Sequence, residues 1–273
     1  MMIRSLWTGA TGMKAMQFYM DSIAHDLSNV NTNGYKKKIV NFQDLLYQTT
    51  RASGLQGGTD GTVNLPVGVQ VGLGVRVAGT TPVMTVGSPV ETGNWFDMML
   101  EEPGGNNSIR SFFRLDMGNG EVAYTRDGNF RVDTEGRLMS VDGYLLDPQP
   151  GNIATDAIAV QITPEGRVTQ RLPGETDFQE VGQINIFTFM NPAGLEPLGN
   201  NRWMESESSG DAQQGAPGED DRATIRAGFI EQSNVDAISE MVNMISAQRA
   251  YEFNSKSITT SDEMLQTVNN LKR

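Results

Sequence analysis

The stretch HDLSNVNTNGYKKK, His25 to Lys38, closes one kind of chain and opens another. Before it, Leu6, Met13, Met20 and Leu27 recur every seven residues, with Ile3, Ala10, Gln17 and Ala24 at the intervening spacing. Met16, Ile23 and Val30 widen the stripe, which predicts an amphipathic helix that covers a partner. Inside the stretch, Ser and Asn compete with helical hydrogen bonding, and Asn33-Gly34 favours a turn with positive φ. The helix is therefore expected to end near Asn29. Asn29, Asn31, Asn33, Gly34 and Tyr35 turn the chain, and Lys36, Lys37 and Lys38 begin a more extended segment.

The far end mirrors this. SNVDAISEMVNMISAQRAYEFNSKSITTSDEMLQTVNNLKR, residues 233–273, offers Ser233 or Asn234 as an N-cap and Asp236 in the first turn. Met241, Met244, Tyr251, Ile258 and Leu265 follow at helical spacing, and Ile238, Ile245, Met264, Val268 and Leu271 broaden the apolar surface. Each helix is flanked by turn-rich chain, so the economical partner for each is the other. The first 38 residues carry a net charge of +3 and residues 231–273 one of −2, which suits pairing. Gln17, Ala24, Gln248, Ser255 and Asp262 are polar or small where a free-standing coiled coil wants larger residues. Two readings follow: a self-contained helical hairpin, or a pair completed by other copies of the chain. The 15 methionines supply adaptable packing in either case.

Between the helices the texture is that of β structure. VQVGLGVRVAG reads as a strand loosened by glycines, and turn signals then recur about every eight residues between short alternating segments, as in NFRVDTEGRLMSVDGYLL. INIFTF, residues 184–189, reads as a core strand. ESESSGDAQQGAPGEDD carries six acids and no base and reads as a solvated loop or linker. The fold class is α+β: long terminal helices pairing as a coiled-coil-like unit, an inserted all-β domain and extended linkers. The expected layout is 1–38 with 232–273 helical, 39–93 with 205–231 as linker, and 94–204 as the all-β domain.

Chemistry is sparse. The formal net charge is −12, which opposes bulk nucleic-acid binding. There is no cysteine and only one histidine, His25, so thiol nucleophiles, disulfides and paired-His metal sites are excluded. Gly72-Leu73-Gly74 lacks the third glycine and following helix of a dinucleotide loop. Asp127, Asp133, Glu135 and Asp142 cluster in sequence, but turn chemistry accounts for most of them. Asn106-Asn107-Ser108 is a glycosylation sequon by pattern alone. No catalytic, cofactor or metal residues are expected. Neither a cleavable leader nor a membrane-spanning run is legible, so residence in the cytoplasm, or exit by a route that removes nothing, is expected. Two functional classes stand at this point: a homopolymerising subunit, and a glycan-binding or glycan-cleaving β protein with helical ends.

MIRSLWTGATGM, SNVNTNGYKK, FQDLLYQTTR, VGLGVRVAGT, YTRDGNFRVDTEGRL, GQINIFTFMNPAGLEPLGNNRW and the 233–266 segment together resemble the rod and hook axial proteins of the bacterial flagellum. The opening and the Gln43–Arg51 segment are most similar to the distal-rod type; a proximal rod or hook-type subunit is the alternative. The resemblance implies a structural protein without cofactors. Its partners would be further copies of itself, proximal rod and hook proteins, L- and P-ring proteins around the rod, and the flagellar type III export apparatus. The implied location is the periplasm-spanning rod of the basal body, reached without a cleaved signal peptide, with neither nucleic acid nor membrane insertion. It also implies subunit packing through Leu6, Met13, Met20, Ile23, Leu27, Val30, Ile238, Met241, Ile245, Tyr251, Ile258, Leu265 and Val268. Residues 39–64 would form an extended brace between subunits. EPGGNNSIR, 102–110, and His25-Asp26 depart from the family pattern.

Overall fold

A computed structural model describes residues 2–51, 69–103, 110–118, 120–174 and 177–271. The second part of the expected brace, the sequon and most of the 102–110 departure lie outside the described residues. The chain is α+β, with a helix at each end and many strands between. It divides into two compact units, one of residues 1–27, 39–80 and 237–273 and the other of residues 28–38 and 81–236.

The first unit holds α1 (Met2–Ser28), α2 (Ala237–Leu271) and four strands, β1 (Lys38–Asp44), β2 (Tyr47–Arg51), β3 (Val69–Gly72) and β4 (Val75–Pro82). β1 pairs with β4, and β2 with β3 in antiparallel register. The valine-rich segment expected as one strand is two. Gly74 adopts φ +117° between them, a conformation that breaks the extended run. α1 stops at Ser28, where the Asn-rich turn begins.

α2 starts at Ala237, so neither Ser233 nor Asn234 caps it. The Ser233 hydroxyl instead accepts the Val235 N–H at 3.2 Å. The Asn234 amide donates to the Val83 carbonyl at 2.7 Å, while its oxygen accepts the Lys37 N–H at 2.8 Å. Both side chains satisfy neighbouring backbone groups and are unavailable to the helix.

The second unit is β. Among the described residues, nine strands form an antiparallel sheet around Arg110–Asp116, which pairs with Val122–Thr125, Leu145–Leu146 and Ile186–Phe189. Strand alternation feeds two cores from this one sheet. Phe113, Leu115 and Ile186 join Met98, Phe130, Leu138 and Val168 on one side. Phe112, Phe187 and Phe189 join Tyr124, Leu195 and Trp203 on the other, with edge-to-face ring pairs such as Tyr124–Phe189 at 4.8 Å. INIFTF is a core strand, fully buried over Ile186–Phe189. The acid-rich segment is more ordered than a linker: Gln213–Gly215 adds to the edge of that strand. Ser206 and Ser209 close a hydrogen-bonded turn before it. Backbone pairing needs no apolar side chain, which is why composition concealed this strand.

Candidate assembly surface

Small residues of α1 meet α2 along one row. Ser5 and Ser261 share a hydrogen bond at 3.0 Å. A Cβ at Gly9 would lie 2.9 Å from Ile258, and one at Gly12 the same distance from Asn254. Partner numbers rise on one helix as they fall on the other, so the helices run antiparallel. Glycine inside a helix costs about 0.5–1 kcal/mol relative to alanine, and here the two in α1 make room for the Ile258 and Asn254 side chains of α2. Glu240, Ala247 and Ser261 are the buried residues of α2, and with Asn254 they repeat every seven residues. Tyr19 lies on the same seven-residue row of α1 as Ser5 and Gly12. Partial burial, with the nearby Glu240 carboxylate, pushes its hydroxyl pKa up.

This seam explains where the expected packing residues fall. Ile23 is 2% exposed, and Ile258 packs against Gly9. Leu6, Met13, Met20, Leu27 and Leu265 are half-buried on the two helices, and Val30 is half-buried in the turn after α1. Ile238, Met241, Ile245, Tyr251 and Val268 remain exposed on α2, joined by Val242, Phe253, Met264 and Leu271. The sequence reading passed over the Ser5, Gly9 and Gly12 row because apolar periodicity does not register residues that pack by being small. The Gly9–Gly12 spacing within a predicted helix was the available signal.

The helix-end turn belongs to the second unit. The Asn29 carbonyl accepts the Thr32 N–H at 3.1 Å, and Asn201 reaches the Asn33 carbonyl at 2.6 Å. Tyr35 is buried and Asn31 exposed. Gly34 has φ +68°, and a Cβ there would sit 2.8 Å from the Asp127 nitrogen. Its N–H donates to the Glu231 carbonyl at 2.8 Å.

Beside it lies a buried ionic group that sequence reading missed. The Glu231 carboxylate binds the Lys36 ammonium, the Gly87 N–H at 2.8 Å and Arg126 Nε at 3.1 Å. Arg126 Nη1 also meets Glu102 and the Ser111 carbonyl, both at 2.6 Å. Two cations and two anions balance within the interior, which offsets the cost of burying charge. Burial alone favours a protonated Glu231, but Arg126 and Lys36 outweigh it and hold the carboxyl low. Lys36 is pushed down to about 8 by burial and by Arg126.

The other acids do local work. Asp133 accepts the Thr134 N–H and pairs with Arg137 at 3.1 Å. Asp127 accepts the Asn129 N–H at 3.2 Å; burial raises it to about 6, aided by Asp142 and Asp97. Among the described residues, no three His, Asp or Glu side chains gather as a metal-binding group, and no helix is long and apolar enough to cross a membrane.

A helix pair that closes its own seam and still carries apolar side chains on its outer faces has the surface of a subunit that assembles. Comparison with known proteins defines the class. Residues 226–271 match the family profile described as the flagellar basal body rod FlgEFG protein C-terminal, and residues 110–170 that of the flagellar hook protein FlgE/F/G D1 domain. The flagellar basal-body rod protein FlgG of Borreliella burgdorferi is 42% identical over 275 residues, spanning all of both chains. Those of Buchnera aphidicola subsp. Schizaphis graminum and Agrobacterium fabrum are each 40% identical, over 270 and 271 residues, covering 99% of this chain and all of theirs. The chain belongs to the flagellar basal-body rod protein FlgG family.

Proposed function

We propose that this structural rod protein polymerises through its terminal helices into a hollow, torque-transmitting distal rod. The observation that carries the reading is the exposed apolar surface of α2, which persists although the helix is already paired along a separate row. Burying such side chains between copies is favourable by about 25 cal/mol per Å² of apolar surface. In this reading the helices, residues 1–38 with 232–273, pair as a coiled-coil-like unit and line the inner tube. Residues 39–93 with 205–231 link them to an inserted all-β domain, 94–204, on the outside.

The work is mechanical, and no residue carries catalysis, a cofactor or a metal. Neighbours along the axis are proximal rod and hook proteins, with the L- and P-ring proteins around them. The chain reaches this position through the type III export apparatus. The thirteen packing residues named from the sequence contribute to contacts within or between copies, and Asn29–Tyr35 turn the chain out of the tube wall.

Negative-stain electron microscopy of the full chain across a concentration series tests this. Straight hollow rods are expected, and they should vanish when residues 1–30 are removed. Rods that persist without those residues would overturn the tube-wall assignment.

A further inference from the structure

We infer that Lys36, Glu231 and Arg126, with Asn234, form a load-bearing clasp that carries force from the helix-connecting segments to the central strand of the β sheet. The inference rests on the torque-transmitting role proposed above and names the residues that perform it.

The chain passes between the two units at 27–28, 38–39, 80–81 and 236–237. Residues 28–38 are therefore a strap whose ends join the first unit and whose body belongs to the second. Just inside these crossings, three segments are tied into one knot. The Lys37 N–H donates to the Asn234 side-chain oxygen at 2.8 Å, and the Asn234 amide to the Val83 carbonyl at 2.7 Å. The Val83 N–H returns to the Lys37 carbonyl at 2.9 Å, and the Gly34 N–H meets the Glu231 carbonyl at 2.8 Å. Gly87 leaves no space for a Cβ against the Gln232 carbonyl, so these segments also meet backbone to backbone.

Side chains then fix the knot to the sheet. The Lys36 ammonium binds the Glu231 carboxylate and donates to the Thr85 carbonyl at 2.7 Å, which joins all three segments at one atom. Glu231 holds Arg126 Nε at 3.1 Å, and Arg126 Nη1 donates to the Ser111 carbonyl at 2.6 Å. Ser111 lies on Arg110–Asp116, the strand around which the sheet is built, and pairs there with Thr188. Lys36, Glu231 and Arg126 are each no more than 2% exposed.

This chemistry suits a joint under load. An apolar contact slides by a fraction of an ångström with little change in energy. Here a slip parts buried charges before water can replace their partners, so the resisting force rises steeply. Force entering at the strap or at residues 231–236 reaches the same carboxylate, and from there the same strand.

The natural chain has no cysteine, so thiol handles at exposed Asn31 and Glu165 attach there alone. Full chains carrying Asn31→Cys and Glu165→Cys are held in an optical trap, and the lifetime of the strap on the β unit is read at constant force. Lys36→Met together with Glu231→Gln removes one charge of each sign and leaves Arg126 facing Glu102. That variant is expected to release the strap several-fold faster. Arg137→Ala, whose lost partners are Asp133 and Glu135, should leave the lifetime unchanged. Should near-UV spectra show that the double exchange disturbs the sheet, Asn234→Ala, which removes no charge, is pulled instead and should also release faster. Lifetimes equal to those of the natural sequence overturn the inference and leave the rod reading standing. Absence of rods in the microscopy above removes the rod reading, while the trap, which needs no polymer, still decides the clasp.

Discussion

Glu231 gathers more of the second unit than its place at the end of the three-residue strand Phe229–Glu231 suggests. Its carboxylate takes Lys36, Arg126 and the Gly87 N–H, and its carbonyl takes the Gly34 N–H. Removing its charge leaves the buried Lys36 without its counter-charge and Arg126 with Glu102 alone. Glu231→Gln is expected to cost roughly 3–5 kcal/mol, read as a lower urea midpoint for the near-UV transition. Lys36→Met should cost clearly less, since Arg126 still faces the carboxylate; equal losses would refute this ranking. Two acids respond to pH with opposite sign. Glu231 is held low, so its contribution is present at neutral pH and lost as the solution acidifies through its folded pKa. Asp127 is raised to about 6 from 3.8, so the folded state binds its proton more tightly. Its stabilisation is present in acid and lost as pH rises through 6. Asp127→Asn, which keeps the acceptor for the Asn129 N–H, should therefore stabilise by on the order of 1–2 kcal/mol at pH 8, allowing for partial solvent screening, and by little near pH 4. Thermal melts at the two pH values measure this, and a pH-independent difference would count against the burial of that carboxyl.

At the scale of elements, the seam and the outer faces of the helices make separable predictions. A Cβ at Gly12 would come within 2.9 Å of the Asn254 side chain, so a large residue there must displace it. Gly12→Leu should force the helices apart at a cost of roughly 1–3 kcal/mol, seen as earlier loss of the far-UV helical signal and loss of polymer. Ile245 is half-exposed in the single chain, so a charge there meets water and leaves the fold alone. Ile245→Asp is expected to melt like the natural chain yet fail to sediment as polymer, because assembly would bury an unpaired carboxylate. Normal polymer from this variant would remove that face of α2 from the subunit contact.

For the whole molecule, the division into a helix-bearing unit and a β unit predicts independent survival. The β unit has two cores of its own, built on opposite faces of one sheet. Removal of residues 240–273 should abolish assembly while preserving the near-UV signature of packed Phe112, Tyr124, Trp203 and their neighbours. Loss of that signature would mean the β unit depends on the helix.

Periodicity carried the helices and the β texture, because a helix or strand with one buried face must repeat its apolar residues at 3.6 or 2. The stop at Ser28 was legible for the same kind of reason: asparagine and glycine act locally on the backbone. The Ser233 or Asn234 cap failed because Ser233 is claimed by the nearby Val235 N–H and Asn234 by two groups distant in sequence, the Val83 carbonyl and the Lys37 N–H. The strand Gln213–Gly215 escaped because its pairing is backbone alone. The Gly9 and Gly12 seam, and the meeting of Lys36, Glu102, Arg126 and Glu231, depend on which segments lie side by side. Local sequence fixes what each segment can bury; only the tertiary structure decides against whom.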